Sequence, residues 1–460
     1  MGHPHILVVT FPSQGHINPG LQLAKRLVTL GLKVTFATTI STHRRMSRTD
    51  DSNGLLSFAT FSDGHDDGYN LLGGDFAHCL SELTHYGQQT FPKIILRSAK
   101  DGHPVTCIIY SLLVSWVAKV ARDFHLPSIF LWNQPATVLD VYYHYFHGYE
   151  GDIEKSINSP TISVNLPGLP PLRSSDLPSF FSPKSNTKLH GFALPALKEH
   201  FHILDAETNP RILVNTFDEL EHEALNSIKK YNLIGVGPLI PSAFLDEKDP
   251  SDTSFGADLV QGSNSYTEWL DSKPKSSVIY ISFGSIAMLS EKQMEETAKA
   301  LIDIDRPFLW VMRENDIGVK HRKELQQKGI IVDWCCQVEV LSHPSVGCFV
   351  THCGWNSTME SFVSGVPVVA LPQWSDQGTN AKLVTDVWMT GIRMVPNERG
   401  IFEGEQLKKG VQLVMGEREK AKEMRKNARK WKDLARDAVK EGGTSDKNLK
   451  TFLDEIIEGC

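Results

Sequence analysis

The 460-residue sequence predicts an α/β protein built from two doubly wound parallel-sheet domains, and three observations carry that expectation. A β-α-β pattern opens the chain, a similar strand, turn and helix pattern starts again at residue 278, and a stretch with little apolar periodicity separates them.

Residues 5–11 are an apolar run of strand length, followed by a Ser-Gln-Gly-His loop. Asn18 and Pro19 then read as a helix N-cap and first helical position. Leu23, Ala24, Leu27 and Leu30 form an apolar stripe, Gly31 closes it, and residues 33–38 return as a strand. Further strands are expected at 105–110, 129–132 and 212–217. Residues 241–265 shift to Asp, Ser, Pro, Gly and Lys, the composition of an exposed linker. The expected division is therefore 1–245, a linker at 246–265, 266–440, and a terminal helix at 441–460. In the second half, strands are expected at 278–283, 308–312, 329–333, 347–351 and 367–371, with Ser290 and Gln293 forming a capping box. The charge-dense stretch 405–440 reads as solvated helix.

Composition narrows the function. Lys plus Arg number 47 against 54 Asp plus Glu, a net charge of -7 with no basic stripe, which argues against nucleic-acid or anionic-membrane partners and for small ligands. Seven cysteines form no CxxC pair, so reduced thiols and a cytoplasmic location are expected. The first residues lack a basic n-region, Ile6 stands where a myristoylation signal needs Ser or Thr, and the apolar run 107–118 is too short to span a bilayer. A monomer is expected.

Ligands of doubly wound sheets bind beyond the carboxyl ends of the strands, which points to four loops. In Ser13-Gln14-Gly15-His16, His16 is a general base or a helix cap. Ser282-Phe283-Gly284-Ser285 and His352-Cys353-Gly354-Trp355-Asn356-Ser357 join small residues to a helix start, which suits phosphate, although Ser357 and Glu360 also fit a capping box. Gln373-Trp374-Ser375-Asp376-Gln377 offers an aromatic ring, a carboxylate and an amide to vicinal hydroxyls. Neither GxGxxG nor a P-loop occurs in these loops, which disfavours a dinucleotide dehydrogenase. His343, Cys348, His352 and Cys353 lack zinc-ligand spacing.

Residues 334–377, WCCQVEVLSHPSVGCFVTHCGWNSTMESFVSGVPVVALPQWSDQ, resemble the signature box of plant UDP-dependent glycosyltransferases of secondary metabolism. FPSQGHINP at 11–19 is similar to that family's catalytic loop. CIIYSLLVSW and LWNQPATVLDVYYHYF look most like the branch of anthocyanin 5-O-, other flavonoid and crocetin glucosyltransferases. The resemblance implies a GT-B fold, with a C-terminal helix crossing back to the first domain, and inverting glucosyl transfer from UDP-glucose, with His16 as base. It implies that Trp334 stacks on uracil and that Gln337 and Glu360 hold the ribose. Ser285, His352, Asn356 and Ser357 would bind diphosphate, and Trp355, Asp376 and Gln377 the sugar. Gln377, where galactosyl relatives tend to carry His, suggests glucose. Phe11, Trp132, Asn133, Tyr142, Phe146 and Phe180 could line the acceptor pocket. No cofactor or metal is expected, and the pair Asp303 and Asp305 reads as surface. Most relatives carry an Asp, bonded to the catalytic imidazole, where this chain has Ser111. A hydroxyl can orient an imidazole but cannot offset its charge, so acidic phenols or carboxylic acids are the expected acceptors, with a flavonoid, an anthocyanin, an apocarotenoid or an aromatic acid in view. A non-catalytic UDP-sugar or metabolite-binding protein is the reading of another class.

Overall fold

The computed structural model describes all residues except 1–3, 47–53, 69–74, 183–186, 256–264, 287–288, 313–321 and 459–460. Residues 256–264 of the expected linker therefore lie outside the described residues. What is described of it is not simply exposed, because Phe255 is buried and the Asp252 carboxylate pairs with Lys25.

The first sheet holds β1 (His5–Val9), β2 (Lys33–Thr39), β3 (Leu56–Phe61), β4 (Cys107–Ser111), β5 (Ser128–Trp132), β6 (Arg211–Val214) and β7 (Asn232–Gly235), all parallel, in the order 3-2-1-4-5-6-7. The second holds β8 (Val278–Ser282), β9 (Phe308–Val311), β10 (Gly329–Val332), β11 (Val346–Thr351), β12 (Val368–Ala370) and β13 (Gly391–Arg393), in the order 10-9-8-11-12-13. Both are doubly wound, and in each the strand order reverses between two central strands, β1 and β4 or β8 and β11. At such a switch point the loops leave in opposite directions and open a crevice, which is where ligands of these sheets bind.

Alternate residues of each central strand feed opposite layers. Leu7 and Val9 enter one core, Ile6 and Val8 the other; Val278 and Tyr280 enter one, Ile279 and Ile281 the other. The helix Thr444–Glu458 lies on the first sheet, where Leu449, Phe452, Leu453 and Ile456 join the layer of Ile6 and Val8. Each such burial is worth about 1.5–3 kcal/mol. Asn448 Nδ2 donates to the Gly235 carbonyl and to Asp218, and Ser445 Oγ to the Gly237 carbonyl, so polar bonds fix the register of that packing.

Several local expectations need correction. The first helix runs Gln14–Thr29 with Ser13 at its N-cap, so it starts before Asn18 and carries Pro19 inside. Ser290 does cap its helix by accepting from Gln293 N–H, but the Gln293 amide bonds both backbone groups of Phe402 instead of returning to the cap. The charged stretch forms the helices Gly404–Val414 and Glu419–Val439; the second buries Ala421, Met424, Ala428, Ala435, Ala438 and Val439. Asp303 ends its helix on the surface, 4.0 Å from Lys408.

Candidate active site

The first switch point sets His16 beside Ser111. Val9 pairs with Tyr110, so the chain leaving β1 passes over Ser111, whose Oγ accepts the Phe11 N–H at 3.1 Å. His16 sits in the first turn of the Gln14–Thr29 helix, with Nδ1 3.3 Å from the same Oγ; the Leu112 carbonyl lies 3.4 Å from it. A hydroxyl has two acceptor positions and one proton. Counting bonds assigns the tautomer: Oγ accepts from Phe11 N–H and from His16 Nδ1–H and donates to Leu112, which leaves His16 Nε2 unprotonated. Burial pushes the His16 pKa down to about 4, so the ring is neutral at pH 7 and serves as an acceptor of protons.

The second switch point leaves an uncapped helix start. Thr351 pairs with Ser282, which brings His352 against the turn at Gly284. The ring packs between two glycines. A Cβ on Gly284 would fall 2.7 Å from Nε2 and one on Gly354 2.5 Å, and Gly284 also has φ +78°, so both positions exclude side chains. Burial lowers His352 to about 4, against a smaller opposing effect of its hydrogen bond to the Ser282 backbone, so it acts as a neutral imidazole. The helix Trp355–Ser364 begins immediately afterwards, with Gly354 at its N-cap and no side-chain cap. Ser357 and Glu360 thus lie inside the helix and do not form the capping box that their spacing allows. The first-turn N–H groups are left for an anion.

Beside that helix start, Gln337 Nε2 donates to Ser357 Oγ at 2.8 Å and to Glu360 Oε2 at 2.6 Å, while the buried Tyr280 hydroxyl donates to Gln337 Oε1 at 3.2 Å. The network fixes an amide and a carboxylate side by side, a fit for a vicinal diol. Trp334 follows β10 with its ring half-buried, and Ser285 is half-buried in the turn after β8.

After β12 comes the acidic loop. Gln377 Oε1 accepts from the N–H groups of Gln373 and Trp374 at 2.8 and 3.0 Å, so the side chain folds its own loop and keeps its NH2 for other partners. Asp376 accepts from Asn380 Nδ2 at 2.7 Å, and burial pushes its carboxyl up to about 6.

Trp355 needs reinterpretation. Its indole N–H donates to the Asn215 carbonyl at 2.7 Å and its ring packs near Trp388, so only its backbone N–H can meet a ligand. Of the six acceptor candidates, Phe11 lies edge-on to His16 with centroids 5.4 Å apart, and Phe180 lies edge-on to Trp374. Tyr142 and Asn133 are buried with a hydroxyl and an entire amide unbonded, and Asp376 is the charge that acts on Tyr142. Trp132 is core, its N–H spent on the Pro135 carbonyl, and Phe146 packs on Phe201 on one side and on Tyr145, itself against Phe181, on the other. Sequence reasoning misses Tyr280, Asn380 and Asn215, which hold the site residues from β8, from the helix after the acidic loop, and from just past the end of β6.

The two switch points meet: Asn356 Nδ2 donates to the Gly15 carbonyl at 3.0 Å. A structure of Os79 from O. sativa with UDP superposes with a TM-score of 0.88 at 31% identity, covering 98% of this chain and 100% of that one. The fold is GT-B, that of glycosyltransferases with two Rossmann-like domains. The family model described as UDP-glucoronosyl and UDP-glucosyl transferase matches residues 260–431. UDP-glycosyltransferase 75C1 of Solanum lycopersicum is 55% identical over 100% of both chains, and a phloretin 4'-O-glucosyltransferase of Malus domestica is 56% identical over 98% of this chain and 97% of its own. The chain belongs to the plant UDP-glycosyltransferase family and is a glucosyltransferase.

Proposed function

We propose that the protein transfers glucose from UDP-glucose, with inversion, to an acidic phenolic hydroxyl of a small plant metabolite of the flavonoid or anthocyanin kind. The observation that carries the proposal is the Asn356 to Gly15 bond, which sets a neutral imidazole one residue away from an uncapped helix start. In this reading the diphosphate lies on the N–H groups of the Trp355–Ser364 helix with Ser285 and His352, the ribose on Gln337 and Glu360, the uracil on Trp334, and the hexose on Asp376 and Gln377. The acceptor lies between Phe11, Phe180, Tyr142 and Asn133, and the unbonded polar atoms of the last two suit its hydroxyls.

The acceptor O–H proton passes to His16 Nε2 while the oxygen forms its bond to the anomeric carbon. The bond from that carbon to UDP breaks on the opposite face, and its electron pair leaves with the diphosphate. A positioned base contributes ~10²–10⁴ in rate, and preorganised donors at the leaving group contribute electrostatically. Backbone N–H groups and the helix dipole supply the positive potential, so this chemistry asks for no metal.

Relatives named for phloretin, anthocyanidin 3-O-glucoside and crocetin support a phenolic or polyene acceptor. Ester formation on a carboxylic acid is the second reading, favoured by the same feature as phenols, a base whose side-chain partner among the described residues is Ser111. Incubation with UDP-glucose and separate panels of phenols and aromatic or apocarotenoid acids, followed by UDP release and a hexose mass gain, tests both. Binding of UDP-glucose without transfer to any acceptor would instead make it a metabolite-binding protein. A monomer in the cytoplasm completes the proposal. Among the described residues no helix is long and apolar enough to cross a membrane. Fractionation decides the compartment against the plastid named for the crocetin relative.

A further inference from the structure

The described part of the acceptor wall and the acidic loop are joined by one strap, residues 173–182, and its contacts have a direction. Asp176 is almost fully buried: Oδ1 accepts from Arg393 Nη1 at 2.6 Å and from Ser175 Oγ at 3.2 Å, and Oδ2 accepts the Arg173 N–H at 3.0 Å. Arg393 Nη2 donates to the Ser175 carbonyl at 2.5 Å, so one guanidinium grips the strap twice from the carboxyl end of β13. Thr379 Oγ1 donates to the Asp176 carbonyl at 2.7 Å, and a Cβ on Gly378 would lie 2.7 Å from the Ser175 carbonyl, so the helix after the acidic loop rests on the strap itself.

Ser375 holds φ +59°, the left-handed region that is strained for a residue other than glycine. Both of its backbone groups are held by one strap residue: its N–H donates to Ser179 Oγ at 2.7 Å, and its carbonyl accepts the Ser179 N–H at 2.9 Å. The neighbours of Ser375 are Trp374, edge-on to Phe180 of the strap, and Asp376. Phe181, next along the strap, packs against Tyr142 and Tyr145 with centroids at 5.3 and 4.7 Å. The conformation that presents Asp376 and Gln377 is thus supported from the opposite domain by the segment that carries the acceptor wall.

We infer that Asp176, Arg393 and Ser179 are positioning residues that set the donor-sugar loop and make hexose recognition depend on the acceptor-side strap. The inference rests on the proposed roles of Asp376 and Gln377. Because the strap meets the loop that would hold the hexose, and the ribose and diphosphate groups lie on other loops, its loss should be felt by UDP-glucose and not by UDP.

The test is calorimetric binding of UDP and of UDP-glucose, with steady-state kinetics, on Asp176→Asn, Arg393→Lys and Ser179→Ala. The expected result is UDP affinity within about twofold of wild type, with Kd and KM for UDP-glucose raised about tenfold and discrimination against UDP-galactose reduced. Arg393→Lys, which keeps the charge but not the two-pronged grip, should fall between wild type and Asp176→Asn. Equal losses for UDP and UDP-glucose would overturn the inference, and so would unchanged UDP-glucose binding. Ser179→Ala removes one acceptor only and reads the same split if Asp176→Asn does not fold. Wild-type protein that transfers no glucose would sink the catalytic proposal, whereas the binding comparison still decides the role of the strap.

Discussion

The Asn356 amide donates to the Gly15 carbonyl because Pro19, four residues after Gly15, has no N–H to offer that carbonyl. A proline inside a helix normally leaves an acceptor to water; here the acceptor joins the His16 turn to the helix Trp355–Ser364. Asn356→Ala should remove a bond worth about 1 kcal/mol and lower kcat by roughly fivefold, with UDP affinity little changed. Gly15→Ala should be tolerated, since its Cβ would sit 3.9 Å from Asn356 Nδ2. A parallel drop in UDP affinity for Asn356→Ala would move that amide onto the phosphate.

Two groups whose pKa values desolvation shifts in opposite directions should divide the acid side of the pH profile. Burial raises the Asp376 carboxyl to about 6 and lowers His16 to about 4. In the proposed role Asp376 accepts from sugar hydroxyls and loses that ability as pH falls through its pKa, whereas His16 stays neutral until lower pH. The kcat/KM for UDP-glucose should therefore fall below about pH 6 in wild type. In Asp376→Asn the plateau should drop and the limb should move toward about pH 4. A limb that stays near 6 in the variant would assign it to another group.

Much of this site is legible in sequence, and the failures have identifiable causes. Unbroken apolar runs reveal the central strands, because strands buried on both faces, such as β1 and β8, carry apolar residues at successive positions. β3 escapes such a reading because its residues are mostly half-buried, and β7 (NLIG) and β13 (GIR) because they hold only two and one large apolar side chains. The start of the first helix is misread because Asn18-Pro19 is a sound local signal that a contact 341 positions away overrides. Ser357 and Glu360 fit a capping box by spacing, yet Gly354 takes the N-cap. The Asp176 to Arg393 pair, 217 residues apart, has no local signature at all.

Ser111 should set which acceptors react. Its hydroxyl orients His16 but leaves the imidazolium uncompensated, so phenols and carboxylic acids should outpace matched alkyl alcohols. Ser111→Asp should narrow that gap. Turnover of paired phenol and alcohol acceptors on both proteins checks this; a ratio that Ser111→Asp leaves unchanged would show that position 111 does not tune the base.

Because helix N–H groups are assigned the charge on the leaving diphosphate, activity should survive dialysis against EDTA with less than about twofold loss. A loss restored by a divalent cation would contradict that assignment.

The central claim is that His16 acts on the acceptor alone while the second domain holds the donor. His16→Ala, with kcat and calorimetric UDP affinity measured on the same preparation, tests it most directly. The kcat should fall by about 10²–10⁴ with UDP affinity unchanged; comparable losses in both, or near-wild-type turnover, would contradict that role for His16.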